Sequence, residues 1–523
     1  MKSSSLVKKL LVAIALMLCV VMAFSACTGN KTPADNDDTD VNQGQVDTTD
    51  DDDKDAKDDA DDKDDKDDAD DKDDKDDKDD KDDKDDKDDK DDKDDASTNK
   101  KPVNTDGMTV WESENVEDIL ANIPEKVKKK EIHILMWREY TTSEQKQIDD
   151  FQKKTGIKIR TTLTTEYEYS TKLIALISDK DSPDVVTLSS MEFPARATKA
   201  MKLLDPEVFR LDDKIWNKVY MDDFRLKDKY YSVAITGTWS VEDCNYLSIY
   251  DKSILADAGV TTMPYDLYKA GKWNWAEQQK IMEKVKASGK TGMTIQSPDL
   301  YMLSAGVDFA DYDPDKAQFV SLLDDAKARP TIESSWKALQ EATSKELIYP
   351  TLDISGYRQG KYGFMSIICF TLYNQGGHLD GVDGGVADIE AVPLAGPTQA
   401  SAYVPVRAKT WGVAKGADNE EGAAYFLRYY LDPATVNMDS TFWHKQFKEV
   451  YNIITKSNKK ITLVGSGVTD YSNGIGTYNS ICSELANGTV GQAPTILNKH
   501  KGKISTSLKR ANSVLERTVA KGR

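Results

Sequence analysis

The sequence predicts an α/β protein carried behind a long charged tract. Two observations carry that expectation. From Ile132 onward, short apolar runs rich in branched residues alternate with segments of helical spacing, the pattern of βαβ units on a largely parallel sheet. Before residue 101 the chain is an apolar leader followed by Asp and Lys, with nothing that could build a core.

The leader comes first. Lys2, Lys8 and Lys9 precede an apolar run from Leu10 to Phe24, which ends in Phe24-Ser25-Ala26-Cys27. A cationic start, an apolar core too short to span a bilayer and small residues at the end make a secretory signal over 1–26. The terminal cysteine makes it resemble a bacterial lipoprotein signal, cleaved before Cys27 and lipidated there, with Phe24 in place of the usual leucine. The expected location is the outer face of the cell membrane, held by lipid.

The tract over 27–105 has 36 Asp against 14 Lys between residues 31 and 100, a net charge of −22. Residues 1–30 carry +3, so the chain's −21 leaves −2 for residues 101–523. The folded part is therefore almost neutral, and its net charge gives no reason to expect nucleic-acid binding. The tract cannot offset the entropy of ordering and is expected to stay a disordered tether. Its roughly 70 residues would span about 50 Å as a coil and about 230 Å at full extension. That reach suits passage through a Gram-positive type of wall.

The folded part, 106–523, opens with one short helix, and its strands and helices then follow in turn. Ile132 to Trp137 (IHILMW) is a buried strand, and Ser143 to Lys154 is a helix with Ser143 as N-cap and Gly156 beyond its end. Ile157 to Leu163 and Pro183 to Leu188 are strands, with a helix from Thr171 to Ser178 between them. Tyr230 to Val241 is extended, Lys252 to Ala258 helical and closed by Gly259, and Trp273 to Ser288 an amphipathic helix. Helix dominates from Thr331 to Leu347; Met365 to Tyr373 and Ile389 to Pro393 are strands. Thr410 to Ala414 leads into a helix from Glu420 to Leu431, ended by Asp432-Pro433. Cys244, Cys369 and Cys482 are too sparse for a disulfide framework, although one pair is open.

The order of these pieces resembles the family 1 extracellular solute-binding proteins of ABC importers, the maltodextrin-binding type. IHILMW with Phe151 to Ile159 (FQKKTGIKI) resembles that family's first strand, helix and second strand. Ser182 to Leu188 (SPDVVTL), Tyr250 to Val260 (YDKSILADAGV), Lys272 to Glu277 (KWNWAE), Ala391 to Pro397 (AVPLAGP) and Thr410 to Pro433 follow in the family's order over about 300 residues. Asp251 replaces the usual Asn, and Gly376 to Gly385 is richer in glycine than the pattern. The resemblance implies a two-lobed periplasmic-binding-protein type II fold with a hinge and an interlobe cleft. Lobe 1 would take about 130–240 and 402–440, and lobe 2 about 241–401 and 441–500. It implies a monomer that binds a soluble solute, most simply an oligosaccharide, and delivers it to an ABC permease.

Sugar rings pack their C–H faces on flat aromatic side chains and need paired donors and acceptors around the hydroxyl rim. In open α/β sheets the ligand lies beyond the carboxyl ends of the strands. That rule selects Trp137, Glu139 and Tyr140 after the first strand, Ser189 and Ser190 after the third, and Trp239 in the crossing segment. Tyr373 and Trp411 follow from the later strands. Each has a plain alternative: Trp137 could be core, Glu139 and Tyr140 solvated loop, and the two serines helix caps. Arg138 reads as an ordinary surface ion pair, and Trp273 and Trp275 as packing. A hydrolase or lyase needs two carboxylates roughly 5–10 Å apart across a cleft, which sequence cannot exclude. No H-E-x-x-H, G-x-S-x-G or P-loop occurs, and the four histidines lack metal-ligand spacing. The protein is expected to be non-catalytic and to need neither cofactor nor metal. A surface adhesin or wall scaffold is the remaining alternative.

Overall fold

The computed structural model describes residues 115–235, 245–372, 379, 386–432, 435, 445–463 and 476–521. The leader, Cys27, the acidic tract, Trp239, Cys244, Tyr373 and Pro433 lie outside the described residues.

The strands in chain order are β1 Ile132–Met136, β2 Ile159–Leu163, β3 Val186–Ser189, β4 Ser232–Val233 and β5 Tyr246–Asp251. β6 Thr291–Ile295, β7 Ala310–Asp313, β8 Gln318–Ser321, β9 Ile348–Tyr349 and β10 Tyr362–Ile368 follow. The last are β11 Ile389–Pro393, β12 Val404–Val406, β13 Lys409–Gly412 and β14 Lys459–Ile461. β1 and β2 pair in parallel from Ile132↔Ile159 to Met136↔Leu163. β13 lies between β3 and β4, antiparallel to both. The two groups join where Val185 N donates to the His133 carbonyl at 3.0 Å and Leu135 N to the Val185 carbonyl at 3.0 Å. The second sheet has the order β11-β5-β10-β6-β9. Two α/β sheets joined by crossing segments make this the two-lobed periplasmic-binding type of fold.

Both sheets are mixed, which corrects the expectation of a largely parallel arrangement. β13 runs against β3 and β4, and β5 against β10 and β11. The reason is where the chain crosses between sheets. β13 begins at Lys409 opposite Ser189, the last residue of β3, and β5 begins at Tyr246 opposite Ile368, the last of β10. A strand that arrives at the carboxyl edge can only run away from it.

The first long helix, Thr142–Thr155 (α1), begins one residue before the expected cap. Thr141, not Ser143, is the N-cap: its hydroxyl accepts from Glu144 N at 3.2 Å while the Glu144 carboxylate accepts from Thr141 N at 2.7 Å. Those reciprocal bonds satisfy two otherwise orphaned donors. Gly156 ends the helix in the left-handed region at φ 75°. Phe151 on its buried face meets Phe426 edge-on at 5.4 Å, locking α1 to the helix Glu420–Tyr430 (α2). In the second lobe Trp273 is 1% exposed, donates from its indole N–H to the Pro393 carbonyl at 2.8 Å and stacks on Phe364 at 6.2 Å.

Two elements tie the lobes together besides the crossings. The β7–β8 hairpin bonds across to the first lobe, with Tyr312 Oη donating to the Arg225 carbonyl at 2.9 Å and Lys227 N to the Pro314 carbonyl at 2.9 Å. The C-terminal helix Ala493–Ala520 (α3) buries Ile496, Leu497, Ile504, Leu508 and Leu515 along one face. Asn512 on it exchanges two bonds with the backbone of Phe319, at 2.8 and 2.9 Å. Cys369 and Cys482 are both buried and no disulfide joins them. Among the described residues no helix is long and apolar enough to cross a membrane.

Candidate functional site

The carboxyl edge of the first sheet gathers most of the residues that the strand-end rule selects. β1 delivers Trp137, which is half-buried, with its ring 5.8 Å from that of Trp411 at 45°. Trp411 is 3% exposed and meets Tyr430 edge-on at 5.7 Å, so it backs Trp137 from within the core. The Lys409 ammonium lies 4.6 Å from the Trp137 ring centroid and pairs with Glu166 at 2.8 Å. Cations over an indole face are attracted by its quadrupole.

Arg138 is not an ordinary surface pair. Its guanidinium bonds both oxygens of Glu144, each at 2.7 Å, and that carboxylate also accepts from Tyr430 Oη at 3.0 Å. The Glu144 side chain is 1% exposed, so Arg138 is engaged in holding a buried carboxylate at this corner. Tyr140 is half-buried with its hydroxyl 3.2 Å from Thr161 Oγ1, and burial pushes its phenol up to about 12. It therefore stays neutral and can donate. Glu139 is exposed.

Ser189 Oγ accepts from Met191 N at 3.3 Å and starts the short turn Ser190–Glu192, which is the capping role that sequence left open. Ser190 N donates to the Ala408 carbonyl at 2.8 Å, while its buried hydroxyl has no partner among the described residues. A buried polar group without a partner is costly and calls for one.

The corresponding edge of the second sheet holds a polar cluster that sequence reasoning missed. Arg407 Nη2 bonds Ser297 Oγ at 3.0 Å and Asp299 Oδ2 at 3.0 Å, and its guanidinium lies 5.6 Å from the Tyr246 ring centroid. Tyr478 Oη reaches Asp299 Oδ2 at 3.0 Å and Asp308 Oδ1 at 3.3 Å. Arg407 Nε, Asp308 Oδ2, Asn245 Nδ2 and Thr371 Oγ1 are buried without partners among the described residues. Ser297 and Asp299 follow the end of β6, so the strand-end rule could have found them; Tyr478 comes from a helix far along the chain and carried no local signal. Trp239 and Tyr373 fall outside the described residues. Among the described residues no group of three His, Cys, Asp or Glu is placed to hold a metal.

Two mixed sheets whose carboxyl edges carry an aromatic pair on one side and a hydroxyl-rich charged cluster on the other define a two-lobed solute-binding protein. The chain belongs to the bacterial extracellular solute-binding protein family, whose profile matches residues 146–444, more than half of the sequence. Comparison with curated protein sequences gives no match. Solved structures share the fold. The cyclic α-maltosyl-1,6-maltose binding protein of Arthrobacter globiformis has a TM-score of 0.55 at 14% identity, over 73% of this chain and 99% of that one. The galacto-N-biose/lacto-N-biose I-binding protein of an ABC transporter from Bifidobacterium longum, solved with lacto-N-biose, has 0.56 at 12% identity, over 73% and 97%. An ABC substrate-binding protein of Listeria monocytogenes, solved with cycloalternan, has 0.50 at 18% identity, over 75% and 99%.

Proposed function

We propose that this chain captures an oligosaccharide between its lobes and hands it to the permease of an ABC importer. The observation that carries the reading is the half-exposed Trp137 ring, held against Trp411 at the carboxyl edge of the first sheet. An indole fixed in this way offers a sugar ring an apolar surface at little entropic cost, with Lys409, 4.6 Å from its centroid, swinging off the ring as the sugar stacks. The Ser190 hydroxyl and the Tyr140 phenol supply hydrogen-bonding groups nearby, and Ser189, Glu139, Trp239 and Tyr373 complete the proposed contacts. The sugar ligands named for the structural relatives support the same class.

In this reading lobe 1 comprises about 130–240 and 402–440, lobe 2 about 241–401 and 441–500, and closure of one on the other presents the loaded form to the permease. Lipid on Cys27 holds the protein at the outer membrane face, and binding needs no chemical step. Titrating the protein with soluble malto-, galacto- and cyclic oligosaccharides in a melting assay tests the proposal. Ligand at a hundredfold excess over its Kd should add about 2.7 kcal/mol. A response to one sugar series, without product on prolonged incubation, is the expected result. Accumulating product would mean a hydrolase or lyase, and indifference to every soluble sugar would sink the oligosaccharide reading.

A further inference from the structure

A second, wholly different surface lies at the far end of the first sheet. β13 leaves that sheet as Val413-Ala414-Lys415, and β4 enters it just after Tyr231, both at the edge opposite Trp137 and Lys409. Lys202 N donates to the Val413 carbonyl at 2.9 Å, so the segment after the helix Ala195–Ala200 lies along this edge. The last turns of α3 pass over it and leave a recess of about 600 Å³ between them. A second recess of about 420 Å³ continues along α3, sharing Val514 and Arg517 with the first.

The lining of the two recesses is one-signed. Lys202, Lys415, Lys509, Arg510, Arg517 and Lys521 contribute six cations, and no carboxylate is among the described residues that line either recess. Lys202 has a partner in Glu420, and the Lys415 ammonium bonds the Thr198 carbonyl at 2.7 Å. Lys509, Arg510 and Arg517 on α3 and Lys521 just past its end are exposed, and no ion pair joins any of them to a described carboxylate. This is unexpected in a chain whose residues 101–523 sum to −2, because residues 493–523 alone carry eight Lys and Arg against Glu516, a net +7. Nearer the start of α3 cations are matched: Lys499 pairs with Glu484 at 2.6 Å and Lys501 with Asp324. The unmatched charge is concentrated in the trough.

We infer that this trough binds a linear polyphosphodiester, apart from the solute site. Three features favour that chemistry. The trough is concave and elongated, about 22 Å along α3 from Thr506 to Lys521, which suits a chain better than a flat bilayer. Arg510 and Arg517 offer forked donors that match the paired non-bridging oxygens of a phosphodiester. Met201, Leu203 and Val514 give an apolar floor for the carbon backbone between phosphates, and the Thr506, Ser513 and Thr518 hydroxyls donate to carbonyls of α3 itself, which leaves the cations to hold the phosphates. Binding of this kind releases counterions and weakens steeply with salt. For a protein working at a cell surface, the trough would fix the folded part against an anionic polymer while leaving the solute edge open.

The test is calorimetric titration of the full chain with soluble glycerol-phosphate oligomers of about ten units at low salt. Replacing these four exposed cations together (Lys509→Ala, Arg510→Ala, Arg517→Ala, Lys521→Ala) should weaken binding tenfold or more and leave sugar binding and melting unchanged. A matched control removes four exposed cations elsewhere, Lys129, Lys153, Lys158 and Lys272, and should retain the oligomer. Equal loss in the control would reduce the effect to net charge and overturn the proposal. Absence of oligomer binding would overturn it too, as would capture by phosphatidylglycerol vesicles without capture by the oligomer, which would point to a lipid surface instead. Because sugar binding is read on the same samples, failure of the trough and failure of the solute reading stay distinguishable.

Discussion

Trp137 and Trp411 touch each other yet should answer differently to truncation. Trp411 is 3% exposed between Trp137 and Tyr430, so Trp411→Ala opens a cavity and should cost about 3–5 kcal/mol in denaturant unfolding. Trp137 is half-buried, and Trp137→Ala should remove most sugar affinity for a smaller stability loss. The reverse outcome, with binding retained and stability collapsing, would return Trp137 to the core. Asp308 sets a pH response. Burial pushes its carboxyl up to about 7, with Asp299 and Asp311 acting in the same direction and Lys460 opposing. An unfolded Asp titrates near 3.9, so between those values the native state holds a proton that the unfolded chain has lost. Stability is then fullest below about 4 and falls until the pH passes about 7. Melting should drop between pH 5 and pH 8, and Asp308→Asn, which mimics the protonated form, should flatten that slope. The strand-end rule brought Trp137, Tyr140, Ser189 and Ser190 to one edge from sequence alone, but Trp411, taken as the end of a later strand, pairs with Thr187 inside the sheet because β13 runs the other way. It missed the bonds of Arg407 and Tyr478 to Asp299, because those three residues meet only after both lobes are built.

At the scale of elements, the start and stop of α1 make the clearest case. Thr141→Ala removes the hydroxyl that accepts from Glu144 N and should cost about 1 kcal/mol. Gly156→Ala meets nothing within 4 Å, so its penalty of about 1–2 kcal/mol comes from φ 75° alone. Chemical denaturation of both variants would check this, and a Gly156→Ala variant as stable as the parent would contradict the left-handed cap. Helix and strand periods made most elements legible: Ile389–Pro393 matches the expected strand to the residue, and Glu420–Tyr430 stops one residue short of expectation. Direction was not legible. A five-residue run such as Thr410 to Ala414 looks the same whichever way it runs, and only the crossing at the carboxyl edge makes β13 antiparallel.

At the scale of the molecule, the β7–β8 hairpin reaches from the second lobe to the first, so closure has to pivot around contacts such as Tyr312 with Arg225 and Lys227 with Pro314. Small-angle scattering should report a smaller radius of gyration with the cognate sugar than without it; an unchanged radius at saturation would mean that binding proceeds without closure. The position of β13 also has a consequence for biosynthesis. It sits between β3 and β4, yet the ribosome makes it only after the whole of β5 to β12. Until Lys409–Gly412 emerges, β4 has no strand to bond, β3 keeps only the link to β1 through Val185, and the first lobe is left with a gap in its sheet. A nascent chain stopped before Lys409 should therefore stay open to protease in its first lobe, although every strand of the second sheet has by then been made.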